Sequence, residues 1–488
     1  ETVALDGDTP EPNEASDVRA TLHAVDWGSS SSYTSEGLVI RLNEGDGGLS
    51  ALSSLASELI DEDSISSMML GELWNGSFLW WDYAVVVTDV DIGELGVELD
   101  THSDRLRLTA VTYDIDVDGE IEGTGGGDFD LDADDITVEI LLDPSVDSSG
   151  NITIATDSVN VTPHGLVFDA SGGVGALESI VSFFGVDVDG IVEDELSSAV
   201  ESTLADSIAP MVEEAMEGIR VSESLDIGEN SYTVLALPER LEVDETGLDI
   251  SMKTLVSPYS WESEGWADGP PGPAMGDFYY PDFEGTDGGT ELAMSIDFLN
   301  QLMYAVWGGG LLDTQLTDED LGVDISMITL VLPGLTDLTL SIVPTLPPMI
   351  VPREDTEAGT ELAMDLGDLF VEIYNGDPSE ETLYMELYVS TQVPLSLEAS
   401  AAGDAIGVEL GDPTVWVDVV YPDANSADAA GAEAAFEILF PIFLPEVAGA
   451  FGEIPIPSFA GFALSDVESA LVGDDDGHLM ISGNLGAE

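Results

Sequence analysis

Apolar and polar residues alternate along most of residues 78–167, and this alternation restricts the fold more than any other feature of the sequence. Leu106–Asp118 and Asp130–Leu142 follow it over most of their length, and turns rich in Gly, Asp and Ser separate such segments. Successive side chains of a strand point to opposite faces, so the pattern predicts a long antiparallel meander with one buried face. The glycines within 123–127 lie between two such segments, which predicts a turn and not a nucleotide-binding loop.

Apolar residues spaced three or four positions apart predict helices between the strand segments. A short helix is expected over Leu49–Ile60 and a long one over Ala176–Ile219, kinked at Pro210. In the second half, helices are expected over Leu299–Trp307 and Ala430–Val447. Each carries one apolar face, which is typical of a helix that packs on a sheet.

The order of elements repeats along the chain. The alternating segment Leu38–Leu42 precedes the first helix, and Leu292–Ile296 precedes the third helix about 250 positions later. This spacing predicts a tandem duplication. The expected domains are a flexible acidic lead-in at 1–35, an N-terminal barrel at 36–240, a connector with central-sheet strands at 241–290, and a C-terminal barrel at 291–488.

The charge of the chain excludes several classes of partner. It has 99 acidic and 8 basic residues, a formal net charge of −91, and no cluster of basic residues. Nucleic-acid binding and docking on an anionic membrane through a basic patch both need such a cluster, so neither is expected. A hydrophobic content of 44% indicates folded cores, because disordered acidic chains lack aliphatic residues.

Self-repulsion of this size destabilises a compact fold unless salt screens it, which indicates a saline setting and a halophilic adaptation. The chain has no cysteine, so disulfides and thiolate metal sites are excluded. It begins at Glu1 and has no apolar run long enough to span a bilayer. A halophile's cytoplasm fits this composition equally well, so the charge does not set the compartment. The expected localisation is export to the periplasm, the cell surface or the medium of a bacterial cell.

Several strings, in their order along the chain, resemble the bactericidal/permeability-increasing and lipopolysaccharide-binding protein family, which includes lipid-transfer proteins. They are Gly37–Leu42, Val117–Gly123, Ala293–Leu302, Thr345–Pro348, Phe440–Val447 and Ile454–Pro457. The resemblance covers about residues 36–488. It implies an α+β fold of two tandem modules, each a twisted antiparallel sheet or barrel with a short and a long helix, joined by a central sheet in a boomerang shape.

The resemblance also implies that a phospholipid or another acyl lipid lies between the sheet and the helices of each barrel. The candidate lining residues are Leu49, Leu52, Leu55, Leu59, Ile180, Phe183, Phe184, Ile191, Leu299, Met303, Val306, Phe436, Leu439, Phe440 and Phe443. Helical spacing alone favours the simpler interpretation that these residues fill a dry core. Two features depart from the family pattern: the vertebrate members' disulfide is missing, and the tips lack the basic residues with which endotoxin is bound.

Other chemistry finds less support in the sequence. Asp128, Asp130, Asp132, Asp134 and Glu139 have offsets like those of a calcium loop, but Ala133 replaces its glycine, so only loose calcium binding is expected. The four histidines are widely spaced and no nucleophile motif occurs, which argues against an enzyme and against a catalytic cofactor. Three Asn-x-Ser/Thr sequences are most simply explained as coincidence in so Ser-rich a chain.

The sequence thus favours non-enzymatic lipid binding or lipid transfer. The alternative is a structural or adhesive acidic surface protein that keeps the same fold with filled pockets and self-associates through divalent cations. A lipid-ester hydrolase is a third and weaker hypothesis. A tunnel long enough for acyl chains distinguishes the first hypothesis from the second.

Overall fold

The computed structural model describes residues 33–45, 47–53, 70–78, 81–123, 126–165, 167–171, 219–227, 230–260, 289–320, 332–352, 362–380, 383–400, 405–422, 453–456, 462–472 and 477–487, with a few single residues between these ranges. Strand predominates throughout this part of the chain. The α+β prediction is therefore confirmed for its strands. Most of the long helix predicted over Ala176–Ile219 and most of the helix predicted over Ala430–Val447 lie outside the described residues, but Ala209, Pro210, Val212, Glu213 and Met216 of the former are described and are helical.

The strands and the helix are named in chain order. The first half contains β1 (Thr34–Asn43), β2 (Gly71–Phe78), β3 (Trp81–Asp91), β4 (Leu95–His102), β5 (Arg105–Gly123), β6 (Gly127–Val146), β7 (Ile152–His164), β8 (Val167–Ala170), β9 (Val221–Ile227), β10 (Asn230–Val243) and β11 (Gly247–Pro258). The second half contains β12 (Thr290–Ser295), α1 (Ile296–Gly308), β13 (Thr314–Thr317), β14 (Leu338–Pro344), β15 (Met349–Pro352), β16 (Leu362–Asn375), β17 (Leu383–Ala399), β18 (Ala405–Leu410), β19 (Thr414–Pro422), β20 (Glu453–Pro455), β21 (Phe462–Val472) and β22 (His478–Ala487), with a 3₁₀ turn at Pro378–Glu380.

Each half contributes an outer antiparallel sheet that curls into a half-barrel. In the first half the order is β2-β3-β5-β6-β7, with β4 on β5 and β8 on β6. In the second half it is β13-β14-β16-β17-β18-β20, with β15 on β16 and β19 on β17. The predicted meander is confirmed, since β6 alternates buried and exposed residues as its sequence does. Gly123 ends β5 and Gly127 begins β6, so the glycine-rich segment lies between two strands, as predicted.

A third sheet joins the two halves, with the order β21-β22-β12-β1-β11-β10-β9. Its centre is the antiparallel pair of β1 and β12, in which Leu38 faces Met294 and Ile40 faces Leu292. In the repeated sequence order, Leu38 corresponds to Leu292 and Ile40 corresponds to Met294. Each residue therefore pairs with the counterpart of the other, which is the relation that a two-fold axis produces. The hairpins β10–β11 and β21–β22 flank this centre on either side. The central sheet that the resemblance implied is thus present, while the boomerang outline stays a prediction.

The turn after β1 fastens the two halves at one point. Gly47 accepts hydrogen bonds from the Thr290 hydroxyl at 2.8 Å and from the Leu485 backbone N–H at 2.9 Å. Gly48 lies against the backbone oxygens of Asn43 and Gly289, where a Cβ would collide with both. A residue with a side chain cannot be placed at position 48 unless the backbone at Asn43 or Gly289 shifts.

Residues 49–53 are helical, which is the described beginning of the short helix predicted over Leu49–Ile60. Helix α1 begins three residues before the predicted Leu299 and ends one residue after Trp307. Ile296, predicted as the last strand residue, is instead the first residue of α1, because the Ser295 side chain caps the helix by accepting from the Phe298 backbone N–H at 3.1 Å. Among the described residues, no helix has the length and hydrophobicity needed to span a bilayer.

Candidate functional site

Six of the predicted lining residues lie within the described part of the chain, and the structure brings all six into one apolar cluster. They are Leu49 and Leu52 of the short helix, Leu299, Met303 and Val306 of α1, and Phe440. Each is at most 4% exposed. The same cluster contains residues from all three sheets, so it is a continuous interior shared by both halves.

The remaining predicted lining residues lie outside the described residues. They are Leu55, Leu59, Ile180, Phe183, Phe184, Ile191, Phe436, Leu439 and Phe443. Their assignment to a lipid site stays a prediction. So does that of the six described residues, because burial in an apolar cluster is expected both of a filled core and of the wall of an acyl site.

Helix α1 is the central element of this interior. It packs against β1, β11 and β12 of the central sheet and against β15 of the second-half sheet. Every residue except Asp297 is buried, and a helix surrounded by protein on all sides is apolar around most of its circumference. The predicted apolar stripe of Leu299, Met303 and Val306 is therefore one part of a helix that contacts protein on several faces.

Three polar side chains of α1 anchor the helix to strand backbone, and the sequence interpretation missed them. Asn300 donates to the Ile350 carbonyl at 3.1 Å and accepts from the Ile350 N–H at 2.7 Å. Gln301 accepts from the Val256 N–H at 3.1 Å, and Trp307 donates to the Pro344 carbonyl at 2.8 Å. Two amides inside an apolar helix were the available signal, since a buried polar group needs a partner.

A small polar cleft lies at the carboxyl end of α1. It has a volume of about 340 Å³ and is lined by Asn230, Ser231, Pro258, Tyr259, Ser260 and Gly309. Asn230 donates from its side chain to the Gly309 carbonyl at 3.0 Å, which closes the end of the helix. Its lining is polar, so this cleft does not have the chemistry of an acyl-chain site.

The face of the central sheet opposite α1 holds a cluster of charges in which Arg41 and Asp249 are buried and Asp244 is exposed. The guanidinium of Arg41 donates to Asp249 at 2.6 Å and to Asp244 at 2.9 Å, and it is only 6% exposed. Burial raises the pKa of Asp249 despite the ion pair with Arg41. Burial acts in the same direction on Asp244, but hydrogen bonds from Thr246 and Arg41 outweigh it and lower the pKa of Asp244 to about 2.

Two aromatic residues of the connector cover this face. Phe283 packs against the Arg41 guanidinium, with 5.6 Å between the guanidinium carbon and the ring centroid, and Tyr280 packs against Arg240 at 4.7 Å. Both rings also pack on an apolar cluster of Val39, Ala293 and Met480 from β1, β12 and β22. The connector therefore contacts central-sheet strands of both halves, where the sequence interpretation placed only a connection.

One face of the first-half sheet carries rows of carboxylates on neighbouring strands. Asp118 faces Asp89 on β3 and Asp130 on β6, and Asp130 in turn faces Asp169 on β8. Oxygens of Asp116, Asp118 and Asp130 lie within 4.8 Å of one another, close enough to share a cation, and all three residues are exposed. Partial desolvation and then neighbouring carboxylates raise the pKa of Asp116 and of Asp130. The aspartates that resemble a calcium loop in sequence are thus part of a strand, whose regular backbone does not wrap an ion as a loop does.

The three described histidines lie on different strands. His102 ends β4. His164 ends β7 and its ring contacts Asp135 at 2.8 Å on the surface. His478 begins β22, where it is 3% exposed, and burial lowers its pKa to about 4.

No family model and no curated protein matches this sequence. Among solved structures, lipopolysaccharide binding protein is similar at 16% identity over 92% of this chain and 99% of the other, with a TM-score of 0.49. P47 of Clostridium botulinum E1 is similar at 10% identity over 93% of this chain and all of the other, with a TM-score of 0.32. P47 of Clostridium botulinum A2 is similar at 12% identity over 92% and 97% of the two chains, with a TM-score of 0.31.

Proposed function

We propose that this protein binds or transfers lipids without catalysis, holding acyl chains in the interior of its two modules. One observation supports the proposal most: strands from both halves build a central sheet around the β1–β12 pair, with a curled outer sheet on each side. This is the arrangement that the sequence resemblance to the lipid-binding family implies. A bacterial source, export into a saline medium and the module boundaries at residues 240 and 290 belong to the same proposal.

The mechanism is passive in this proposal. Acyl tails leave water for the apolar interior beside the short helix and α1, which stabilises the complex by about 0.8 kcal/mol for each buried CH₂ group. The polar headgroup stays at the opening. Because the surface is strongly acidic, the headgroup is held without the basic residues that endotoxin binding requires.

The proposal is tested by extracting the protein, purified from its native source, and identifying lipids by mass spectrometry. We expect a stoichiometric acyl lipid. Met303→Trp, which fills the interior beside α1, should lower the lipid-to-protein ratio. Val420→Trp, a substitution of the same kind at a residue that is 53% exposed, should leave the ratio unchanged. Circular dichroism verifies that both variants fold. Native protein free of lipid would overturn the proposal.

The second candidate is a structural or adhesive surface protein with a filled interior. The apolar cluster does not distinguish the two candidates, but the exposed oxygens of Asp116, Asp118 and Asp130 lie within 4.8 Å of one another and favour this one, because a divalent cation could bridge such faces of two molecules. Such a protein would associate through its acidic faces. It predicts lipid-free protein whose sedimentation coefficient increases on adding Ca²⁺ at fixed ionic strength, whereas the lipid-binding protein sediments at an unchanged rate.

A further inference from the structure

The three Asn-x-Ser/Thr sequences lie on the same sheet of the fold. Asn75 lies in β2, Asn151 immediately precedes β7, and Asn160 lies within β7. In the order β2-β3-β5-β6-β7, the first and last strands are the two ends of the sheet. All three asparagines therefore lie at the edges of a single sheet, a distribution that the linear sequence does not reveal.

Asn160 is available for modification. Its side chain is exposed, and Nδ2 donates to the Oγ1 of Thr162, the hydroxyl residue of its own sequence motif, at 3.5 Å. Across the strand pair Asn160 faces Glu139 of β6, while the other side of β7 has no partner strand among the described residues. Among the described residues, the amide of Asn160 thus hydrogen-bonds to its own motif and fastens no other element.

Asn151 provides the contrast within the same hairpin. Its Nδ2 donates to Asp147 at 2.9 Å, and its Oδ1 accepts from Arg220 at 2.6 Å. The hydroxyl of its motif, on Thr153, contacts Ser145 of the neighbouring strand at 2.9 Å. Both functional groups of this motif are used to hold the β6–β7 turn, although Asn151 is as exposed as Asn160.

We propose that Asn160 carries an N-linked sugar chain and that Asn151 does not. The new bond joins Nδ2 to the anomeric carbon of a phosphate-activated sugar donor. The bond between that carbon and the phosphate breaks, the phosphate leaves with the electron pair, and Nδ2 loses one proton to the transferring enzyme. Sugar chains of this kind are added to exported proteins, so the inference rests on the export proposed above.

A sugar chain at this position would protect the sheet. The outer edge of β7 has no partner strand among the described residues, although the Ile154 N–H donates to the Glu213 side chain at 2.6 Å, and a strand of another chain could pair with such an edge. A bulky polar group on an outward residue of that edge blocks such pairing sterically. In concentrated salt, where the charges that normally keep acidic proteins apart are screened within about 3 Å, steric protection remains effective.

Peptide mapping of the protein from its native source tests the proposal. Cleavage before aspartate releases residues 147–156, which contain only Asn151, and residues 157–168, which contain only Asn160. We expect the second peptide to carry a hexose-containing mass increment and the first to have its unmodified mass. Residues 157–168 recovered entirely at the unmodified mass would overturn the proposal, and so would a sugar on Asn151 alone.

Two variants expressed in the native host separate the motif from the asparagine. Thr162→Val removes the hydroxyl but keeps the strand-favouring branched side chain, and it should abolish the modification of an unaltered Asn160. Thr162→Ser keeps the hydroxyl and should retain the modification. Persistence of the sugar in Thr162→Val would contradict the proposed role of the motif. Lipid content is measured separately, so either proposal can fail without the other.

Discussion

At the scale of single residues, the few basic side chains have unusual partners. Three of the eight lie on the same sheet, and each contacts an aromatic ring: Arg41 contacts Phe283, Arg240 contacts Tyr280, and the Lys253 ammonium lies 5.5 Å from the centroid of Tyr33. Salt weakens exposed ion pairs more than it weakens packing against a ring. Aromatic contacts should therefore hold these cations in place at high salt as well as at low salt.

His478 should make the stability of the protein depend on pH. Burial holds its pKa at about 4, below the 6.5 of an unfolded chain, so the neutral form is favoured in the folded state. As the pH falls from 6.5 to 4, protonation stabilises the unfolded chain. Stability should decrease by about 1.4 kcal/mol per pH unit, about 3 kcal/mol in all. His478→Gln should lose this contribution, measured by urea unfolding at successive pH values.

The contribution of His478 has to be separated from that of the carboxylates, because carboxylates titrate in the same pH range. The quantity to compare is the difference in the free energy of unfolding between the native protein and the variant at each pH. His164→Gln, at an exposed position beside Asp135, serves as the control and should show a much smaller difference. Parallel pH profiles for the native protein and His478→Gln would contradict the assignment.

At the scale of elements, α1 should depend on its polar anchors as well as on its apolar residues. Asn300→Leu keeps the volume but leaves the buried N–H and C=O of Ile350 without their side-chain partner. The free energy of unfolding should decrease by about 2 kcal/mol, the usual cost of stranding buried polar groups. Chemical denaturation measures the change.

The matched control for this prediction is Asn160→Leu, the same substitution at an exposed asparagine whose amide, within the described part of the chain, hydrogen-bonds to Thr162 alone. It should change the free energy of unfolding by less than about 0.5 kcal/mol. Equal effects of the two substitutions would show that the anchor between α1 and β15 contributes nothing specific.

Elements with a clear local period could be predicted from the sequence. The meander strands and the core of α1 follow from spacing alone, since the period of apolar residues is a local property. The anchoring role of Asn300 could not be predicted, because its partner Ile350 lies 50 positions away. Nor could the end of β12 be placed, since Ile296 continues the strand pattern although the Ser295 cap has already begun the helix. The lining residues of the candidate site remain predictions that the described structure neither confirms nor contradicts.

At the scale of the whole molecule, the charge should make stability depend on salt through identifiable residues. Asp118 and Asp130 face each other on adjacent strands, where like charges destabilise a sheet. The double variant Asp118→Asn with Asp130→Asn should have a higher melting temperature than the native protein at low salt. The difference should vanish near 1 M NaCl, where screening reduces the repulsion in both proteins. Differential scanning calorimetry across a salt series measures it.

The control removes the same net charge from positions without an acidic neighbour across the strand. Glu98 faces Thr109, and Glu409 faces Ser396, so Glu98→Gln with Glu409→Gln relieves only the general repulsion. Its increase in melting temperature at low salt should be clearly smaller than that of Asp118→Asn with Asp130→Asn. If both double variants show the same increase in melting temperature, the total charge, and not the rows of carboxylates, governs the salt dependence.

The order of the central sheet could not be derived from periodicity, because its pairs are among the most distant in the chain. β1 pairs with β12 about 250 positions later, and a repeat of element order does not indicate which strands are neighbours. Only the family resemblance implied a joining sheet. The strand that each half supplies was predicted locally, whereas the pairing depends on packing between the halves.

The pairing of β1 with β12 also bears on how such a chain could have arisen. Leu38 opposite Met294 and Ile40 opposite Leu292 is the register that two copies of one strand adopt across a dyad. A single module would therefore present an isologous interface, complementary to itself, and could close into a homodimer through two β1 strands. Gene duplication and fusion would then convert that dimer into one polypeptide. On this view the interface between the two halves descends from an interface between identical subunits. Each half, expressed alone, should therefore form a homodimer.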